Sequence, residues 1–366
     1  MCGICGWIGT RPSPGAAEIG GMLAALRRRG PDDCGVWTES DGRAVLGHTR
    51  LSIIDLVGSK QPMTNEDGSI VVTYNGEIYN FADLRRHLLA RGHTFATRGD
   101  TEVLVHLYEE YGAEMVRRLD GMFAFGLYDR PRRRLLLARD RIGIKPLYYW
   151  HDAATGAVLF ASDMGALLEH PSVPRELNPR ALAHYLQFGY VVHPEGWVRS
   201  VRQVEPGELV EWEEGRVTRT KYYTWEYQPC DDLDNGKRAE AELRRHLTAS
   251  VQAHLVADVP LGSFLSGGLD SATVTGLAQR TRGNAEAAIH SLTVRFGTPE
   301  FDESGRARSI AGDLGTRHTE IDGRSLRFDR PFLDQFVGAL GEPFGDTSAL
   351  AVYLLCMEAR AHVRSR

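Results

Sequence analysis

Apolar residues along the chain keep two rhythms, and the change between them marks two regions. In the first region the runs are short. Ile70-Val71-Val72-Thr73-Tyr74 is a β-branched run that predicts a strand, and the pair Asn75-Gly76 after it predicts a turn. Phe81, Leu84, Leu88 and Leu89 predict a helix over 81–91, with Gly92 just past its end. A second helix is predicted from Thr101 to Tyr111. Its stripe is Val103, Leu104, Leu107, Tyr108 and Tyr111, and Asp100 or Thr101 is placed to cap it. Strand-like runs then follow at 122–128, 134–138, 146–150 and 158–162. With no helix between them they predict antiparallel pairing, and with the separate helices a layered α+β domain.

The polar, turn-rich stretch 228–237 reads as a linker. Beyond it, Leu243, Leu247, Val251 and Leu255 predict a helix over 238–257. Strands at 259–265, 290–296 and 318–321 then alternate with helices at 271–279 and 304–314. That alternation predicts a parallel sheet with crossover helices. The domain boundaries expected are therefore 2–227 and 238–366.

Composition narrows the class. The chain has 366 residues, enough for two domains, and is 42% hydrophobic and 25% charged, which excludes a disordered or fibrous chain. Its net charge of −5 leaves no basic excess for phosphate backbones, so nucleic acid is not expected as a partner. No run approaches the length of a membrane span, and Met1 to Gly6 carry no basic segment ahead of an apolar one, so no membrane and no secretory signal are expected. Five cysteines, at 2, 5, 34, 230 and 356, show no framework spacing and read as reduced thiols in the cytoplasm.

Three groups of residues can carry chemistry. With Met1 removed, Cys2 carries a thiol and a free α-amine, a nucleophile with its own base. Cys2-Gly3-Ile4-Cys5 also spells a C-x-x-C half-site for redox or zinc, although it opens the chain and has no second pair. Arg50 can pair with a carboxylate, Glu77 and Asp100 can hold an ammonium group, and Asn75 with the Gly76 N–H can form an oxyanion hole. All five can equally be turn residues and surface ion pairs. Finally, Leu265-Ser266-Gly267-Gly268-Leu269-Asp270-Ser271 follows an apolar strand and opens a helix, an arrangement suited to an anion. Asp270, read as lying just before the helix, suggests Mg²⁺ or a cap. A Gly-rich strand–helix turn is the plain alternative, and neither the Gly-Lys-Ser/Thr nor the G-x-G-x-x-G pattern occurs.

Taken in order, these motifs resemble the glutamine-dependent asparagine synthetases, which join a class II glutamine amidotransferase to an ATP-pyrophosphatase domain. The resemblance rests on Met1-Cys2-Gly3-Ile4, Arg29-Gly30-Pro31-Asp32, Arg50-Leu51-Ser52-Ile53-Ile54-Asp55, Tyr74 to Asn80, Leu119 to Phe125, Asp140 to Tyr149, Ser266 to Ser271 and Glu342 to Ser348. It implies a four-layer α+β (αββα) N-terminal-nucleophile fold followed by a partial α/β domain with a parallel sheet. It implies that Cys2 attacks the glutamine amide, with Asn75 and Gly76 stabilising the oxyanion. Arg50, Leu51, Ser52, Ile53, Ile54, Asn75, Gly76, Glu77 and Asp100 would hold glutamine. Leu265, Ser266, Gly267, Gly268, Asp270, Ser271 and Val294 would hold ATP, with Asp270 on Mg²⁺. The implied acceptor is aspartate, activated by adenylation, or another carboxylate, and the implied assembly a homodimer. A chain reduced to glutaminase activity, or to a non-catalytic remnant, is also compatible. Family members continue past the helix resembled by 349–363 to a Ser-Gly-x-Gly-x-Asp-Glu loop. About half of the synthetase region is therefore expected to be missing, as in a fragment, a frameshifted gene or a natural short form.

Overall fold

The structure is a computed structural model that describes residues 1–11, 16–229, 236–282, 288–300, 302–323 and 329–363. It divides into two compact units, one of residues 1–226 with 339–345, the other of 227–338 with 346–366. Most of the expected linker, 230–235, lies outside the described residues.

In the first unit, two six-stranded antiparallel sheets face each other. Across the first sheet the strands run Val201–Gln203, Tyr148–His151, Val158–Ala161, Gly3–Ile8, Ala44–Arg50, Asp33–Thr38. Across the second they run Arg216–Lys221, Glu208–Glu213, Arg134–Arg139, Gly121–Asp129, Ile70–Ile78, Met63–Thr64. Strands buried on both faces need apolar side chains on both, and that is what the three hydrophobic clusters contain. Ile4, Leu46, Val71, Leu137 and Phe160 fill the space between the sheets. Met22, Leu26, Trp150 and Leu167 seal the helices Ala16–Leu26 and Met164–Leu168 onto the first sheet. Leu84, Leu88, Leu104 and Leu107 seal Phe81–Ala90 and Glu102–Tyr111 onto the second. The result is the four-layer αββα arrangement implied by the resemblance.

Three local expectations need correction. The strand does not turn at Asn75-Gly76 but runs on to Ile78, with Asn75 opposite Ala124 and Gly76 opposite Phe123. A nine-residue partner strand outweighs the turn preference of the pair, and glycine is required because a Cβ there would collide with the Met122 carbonyl oxygen. Leu89 is 48% exposed, so the buried stripe of its helix is Leu84 and Leu88. No side chain caps Glu102–Tyr111, because Asp100 is engaged elsewhere.

In the second unit a parallel sheet of Gly262–Phe264, His290–Arg295 and Arg317–Asp322 is crossed by the helices Leu269–Arg282 and Ser304–Leu314. Gly236–His254 precedes this sheet, and Arg330–Leu340 and Ser348–Val363 follow it. The helix expected from 271 begins at Leu269, so Asp270 lies in its first turn rather than before it. Of the four-residue repeat in the helix expected over 238–257, Val251 is buried whereas Leu243 is 59% exposed.

Candidate functional site

Cys2 stands just before Gly3–Ile8, and Arg50 closes Ala44–Arg50, its antiparallel neighbour. Asn75 and Gly76 reach the same place from the facing sheet because their strand continues past Tyr74. The two sheets thus open onto one cavity of about 250 Å³, suited to a free amino acid more than to a drug-sized ligand. Arg50, Leu51, Ile53, Ile54, Asn75, Gly76, Glu77 and Asp100 line it together with Cys2. Ser52 does not line it; its N–H donates to Asp32 Oδ2 at 3.0 Å.

Each polar wall of the cavity is held from behind. The Leu51 N–H donates to Cys2 Sγ at 3.4 Å, and the thiol faces the Leu51 carbonyl at 3.7 Å. Burial pushes the Cys2 thiol up, so at neutral pH it carries its proton and needs a base to lose it. Burial also pushes the Met1 amine down to about 6. The Arg50 guanidinium donates to the carbonyls of Ile54 (3.3 Å), Asp55 (2.6 Å) and Leu56 (3.1 Å), which fixes its plane. Asp100 is buried and accepts from Tyr74 Oη at 2.7 Å and the Ile78 N–H at 3.0 Å. Its carboxyl is pushed up by desolvation, a cost that a cation beside it would offset. The Asn75 side-chain nitrogen is buried and has no hydrogen-bond partner, a donor waiting for an acceptor.

Sequence reasoning assigned no role to Lys145, which also lines the cavity. The signal was present in the run from Asp140 to Pro146. Asp140 Oδ1 accepts from the N–H groups of Ile142 (3.1 Å), Gly143 (2.7 Å) and Ile144 (3.0 Å), and Oδ2 accepts from Lys145 N at 3.0 Å. Gly143 has φ +76°, the left-handed turn that this wrapped loop demands. The loop delivers Lys145 near Glu77, Arg29 and Cys2, and burial lowers its pKa.

In the second unit, Ser266 to Gly268 form the turn between Gly262–Phe264 and Leu269–Arg282. Ser266 Oγ and Ser271 Oγ are 2.8 Å apart, and the Gly268 N–H donates to Ser266 Oγ at 3.1 Å. The Gly267 N–H donates to the Glu303 carboxylate at 3.1 Å, so one loop amide already holds an anion. Asp270 is exposed in the first helical turn. These hard carboxylate oxygens beside loop amides suit Mg²⁺ and phosphate. Leu265 and Val294 are buried in the core of the unit.

Residues 1–223 match the family model of the glutamine amidotransferase domain, and residues 242–365 that of asparagine synthase. "Asparagine synthetase [glutamine-hydrolyzing] 1" of Bacillus subtilis (strain 168) is 33% identical over 370 residues, covering 99% of this chain and 56% of its own. A putative asparagine synthetase [glutamine-hydrolyzing] of Mycobacterium tuberculosis (strain ATCC 25618 / H37Rv) is 34% identical over 386 residues, 100% of this chain and 58% of its own. The chain thus spans little more than half the length of these relatives. Among solved structures, an allosteric regulatory enzyme of purine biosynthesis is similar at a TM-score of 0.49 and 16% identity, over 88% of this chain and 80% of that one. By the match over 1–223, which takes in every residue of the Cys2 cavity, the chain belongs to the glutamine amidotransferase domain family, with an asparagine synthase region following.

Proposed function

We propose that the chain is a glutamine-hydrolysing asparagine synthetase that generates ammonia at Cys2 and uses it on an ATP-activated aspartate. The observation that carries the first step is the buried, unpartnered Asn75 amide in one cavity with Cys2 and Gly76. With Met1 removed, the Cys2 α-amine takes the thiol proton as Sγ attacks the side-chain amide carbon of glutamine. The oxygen that becomes negative accepts from Asn75 Nδ2 and the Gly76 N–H, donors fixed before substrate arrives. Collapse of this intermediate breaks the C–N bond, the ammonium proton of the enzyme returns to the leaving nitrogen, and ammonia departs. Water then cleaves the thioester to glutamate. Arg50 takes the substrate carboxylate, and Glu77 with Asp100 its ammonium group.

In the second unit, Ser266, Gly267, Gly268 and Ser271 receive the phosphates of ATP, and Leu265 and Val294 back the nucleotide. Asp270 holds Mg²⁺, which neutralises phosphate charge when bound. Glu303, now on the Gly267 amide, gives way to a phosphate oxygen. Aspartate is adenylated and then amidated, forming asparagine, AMP and pyrophosphate. The chain acts in the cytoplasm, as a homodimer, in two domains of 2–227 and 238–366.

Purified protein supplied with glutamine tests this reading, with glutamate, AMP and asparagine followed with and without Mg·ATP and aspartate. Glutamate production that vanishes in Cys2→Ala is expected, and glutamate released at an unchanged rate by that variant overturns the thioester step. Glutamate without AMP identifies a glutaminase alone, and AMP formed only with another carboxylate identifies a different acceptor.

A further inference from the structure

Away from the Cys2 cavity, His93, His106 and Glu109 bring three ligating atoms within 4.8 Å of one another. His106 and Glu109 lie one turn apart on the helix Glu102–Tyr111, and His93 comes from the turn before it. Glu109 Oε2 is 2.9 Å from His106 Nδ1 and 3.4 Å from His93 Nδ1. Ligands about 2.1 Å from one ion stand roughly 3.0 Å apart at octahedral angles and roughly 3.4 Å at tetrahedral ones, and both separations are close to that. We propose that His93, His106 and Glu109 form a binding site for a divalent transition-metal ion of the zinc type, with Glu66 as a fourth ligand.

The outer partners support this site over a simple hydrogen-bond cluster. Glu109 Oε1 accepts from the buried Asn65 amide at 2.7 Å, which turns Oε2 toward the histidines. His93 Nε2 meets Glu110 Oε1 at 3.0 Å, leaving Nδ1 to face inward. Thr94 Oγ1 holds Glu66 Oε1 at 2.9 Å, and Glu66 Oε2 stands 3.9 Å from His106 Nδ1. Imidazole ligands whose second nitrogen meets a carboxylate are the usual outer arrangement of metal centres. His106 supplies the decisive detail. It is 1% exposed, and its Nε2 has no hydrogen-bond partner, although Glu102 Oε1 is 3.9 Å away. In a neutral ring donating from Nδ1 to Glu109, a bare nitrogen lone pair faces that carboxylate. A metal on Nδ1 moves the ring proton to Nε2, which then points an N–H at Glu102. Two nitrogens with carboxylate oxygen suit zinc or cobalt rather than Mg²⁺. The ion would pin the 93–95 turn and the Glu66 loop to the helix.

Chelator-stripped protein titrated with cobalt chloride tests the proposal. One equivalent is expected at micromolar metal, with a visible ligand-field band and without the near-ultraviolet sulfur-to-cobalt charge transfer that a site built on the cysteines would give. His93→Gln, a partly exposed position, removes that equivalent while intrinsic fluorescence stays native. Glu110→Gln weakens it about 10–100-fold through the outer shell. No stoichiometric uptake by the unaltered chain, or uptake that His93→Gln leaves unchanged, overturns the proposal and assigns the cluster to a shared proton.

Discussion

The chemistry of single residues in this chain is set by what stands behind them. Asn75 is the clearest case, since an amide buried without a partner loses hydrogen bonding that water would have supplied. Asn75→Ala should lower the kcat for glutamine hydrolysis by about 10²–10³ with little change in KM, because the donor acts on an oxyanion that exists only after attack. Steady-state glutaminase assays check this, and a change confined to KM would assign Asn75 to ground-state binding. Lys145 acts at a distance. Desolvation is the main cause that lowers the Met1 amine, and the Lys145 charge adds to it. Lys145 also faces Cys2, so once Met1 is removed Lys145→Met should let the Cys2 amine hold its proton to higher pH. The acid limb of the kcat/KM profile should move upward in pH, while an unmoved limb would show that Lys145 does not tune the base.

Elements hold these residues by pairing and by a few charged ties. The strand Ile70–Ile78 carries Asn75 and Gly76, the proposed oxyanion donors, to the cavity because Gly121–Asp129 pairs with its whole length. Where the neighbouring sheet edge meets this strand pair, Glu39 accepts from Arg130 Nε at 2.8 Å and Nη2 at 2.9 Å. That two-pronged bond holds the Glu39 carboxyl down at about 2, against an ordinary value near 4.5. A carboxyl lowered in the folded state binds fewer protons there than in the unfolded chain. Its stabilisation is thus complete above about 4.5 and lost as pH falls toward 2. Glu39→Gln should lower stability at neutral pH and flatten its fall between those values, as read by urea denaturation at several pH values. An equally steep fall in the variant would place the acid sensitivity elsewhere.

At the scale of the whole molecule, the two units bury separate cores of unequal size. The first is packed in three continuous apolar layers, whereas the second has small clusters such as Leu292, Val294, Ile321 and Leu354. All six tryptophans, at 7, 37, 150, 197, 212 and 225, belong to the first unit. Denaturation followed by tryptophan fluorescence should therefore lag behind denaturation followed by far-ultraviolet circular dichroism, because helices of the second unit melt first and silently. Superimposable transitions would mean that the units unfold as one.

Much of this was legible in the chain itself. Periodicity found the helix Ser304–Leu314 to the residue and the parallel alternation around it, since an apolar stripe depends only on spacing. Ordered motifs marked Cys2, Arg50, Asn75 and the Ser266–Ser271 loop as chemistry. Spacing could not say that Asn75-Gly76 continues a strand, because turn preference is local whereas the competing ladder comes from residues 121–129, far along the chain. Nor could it seat Lys145 in the Cys2 cavity or leave Ser52 outside it, for a wrapped loop and a single strand-end residue decide those positions. The order of residues does not single out His93, His106 or Glu109. Only the turn that folds back onto the helix puts the two imidazole nitrogens beside the Glu109 carboxylate oxygen, because ligand geometry is a property of contacts between segments and not of the order of residues.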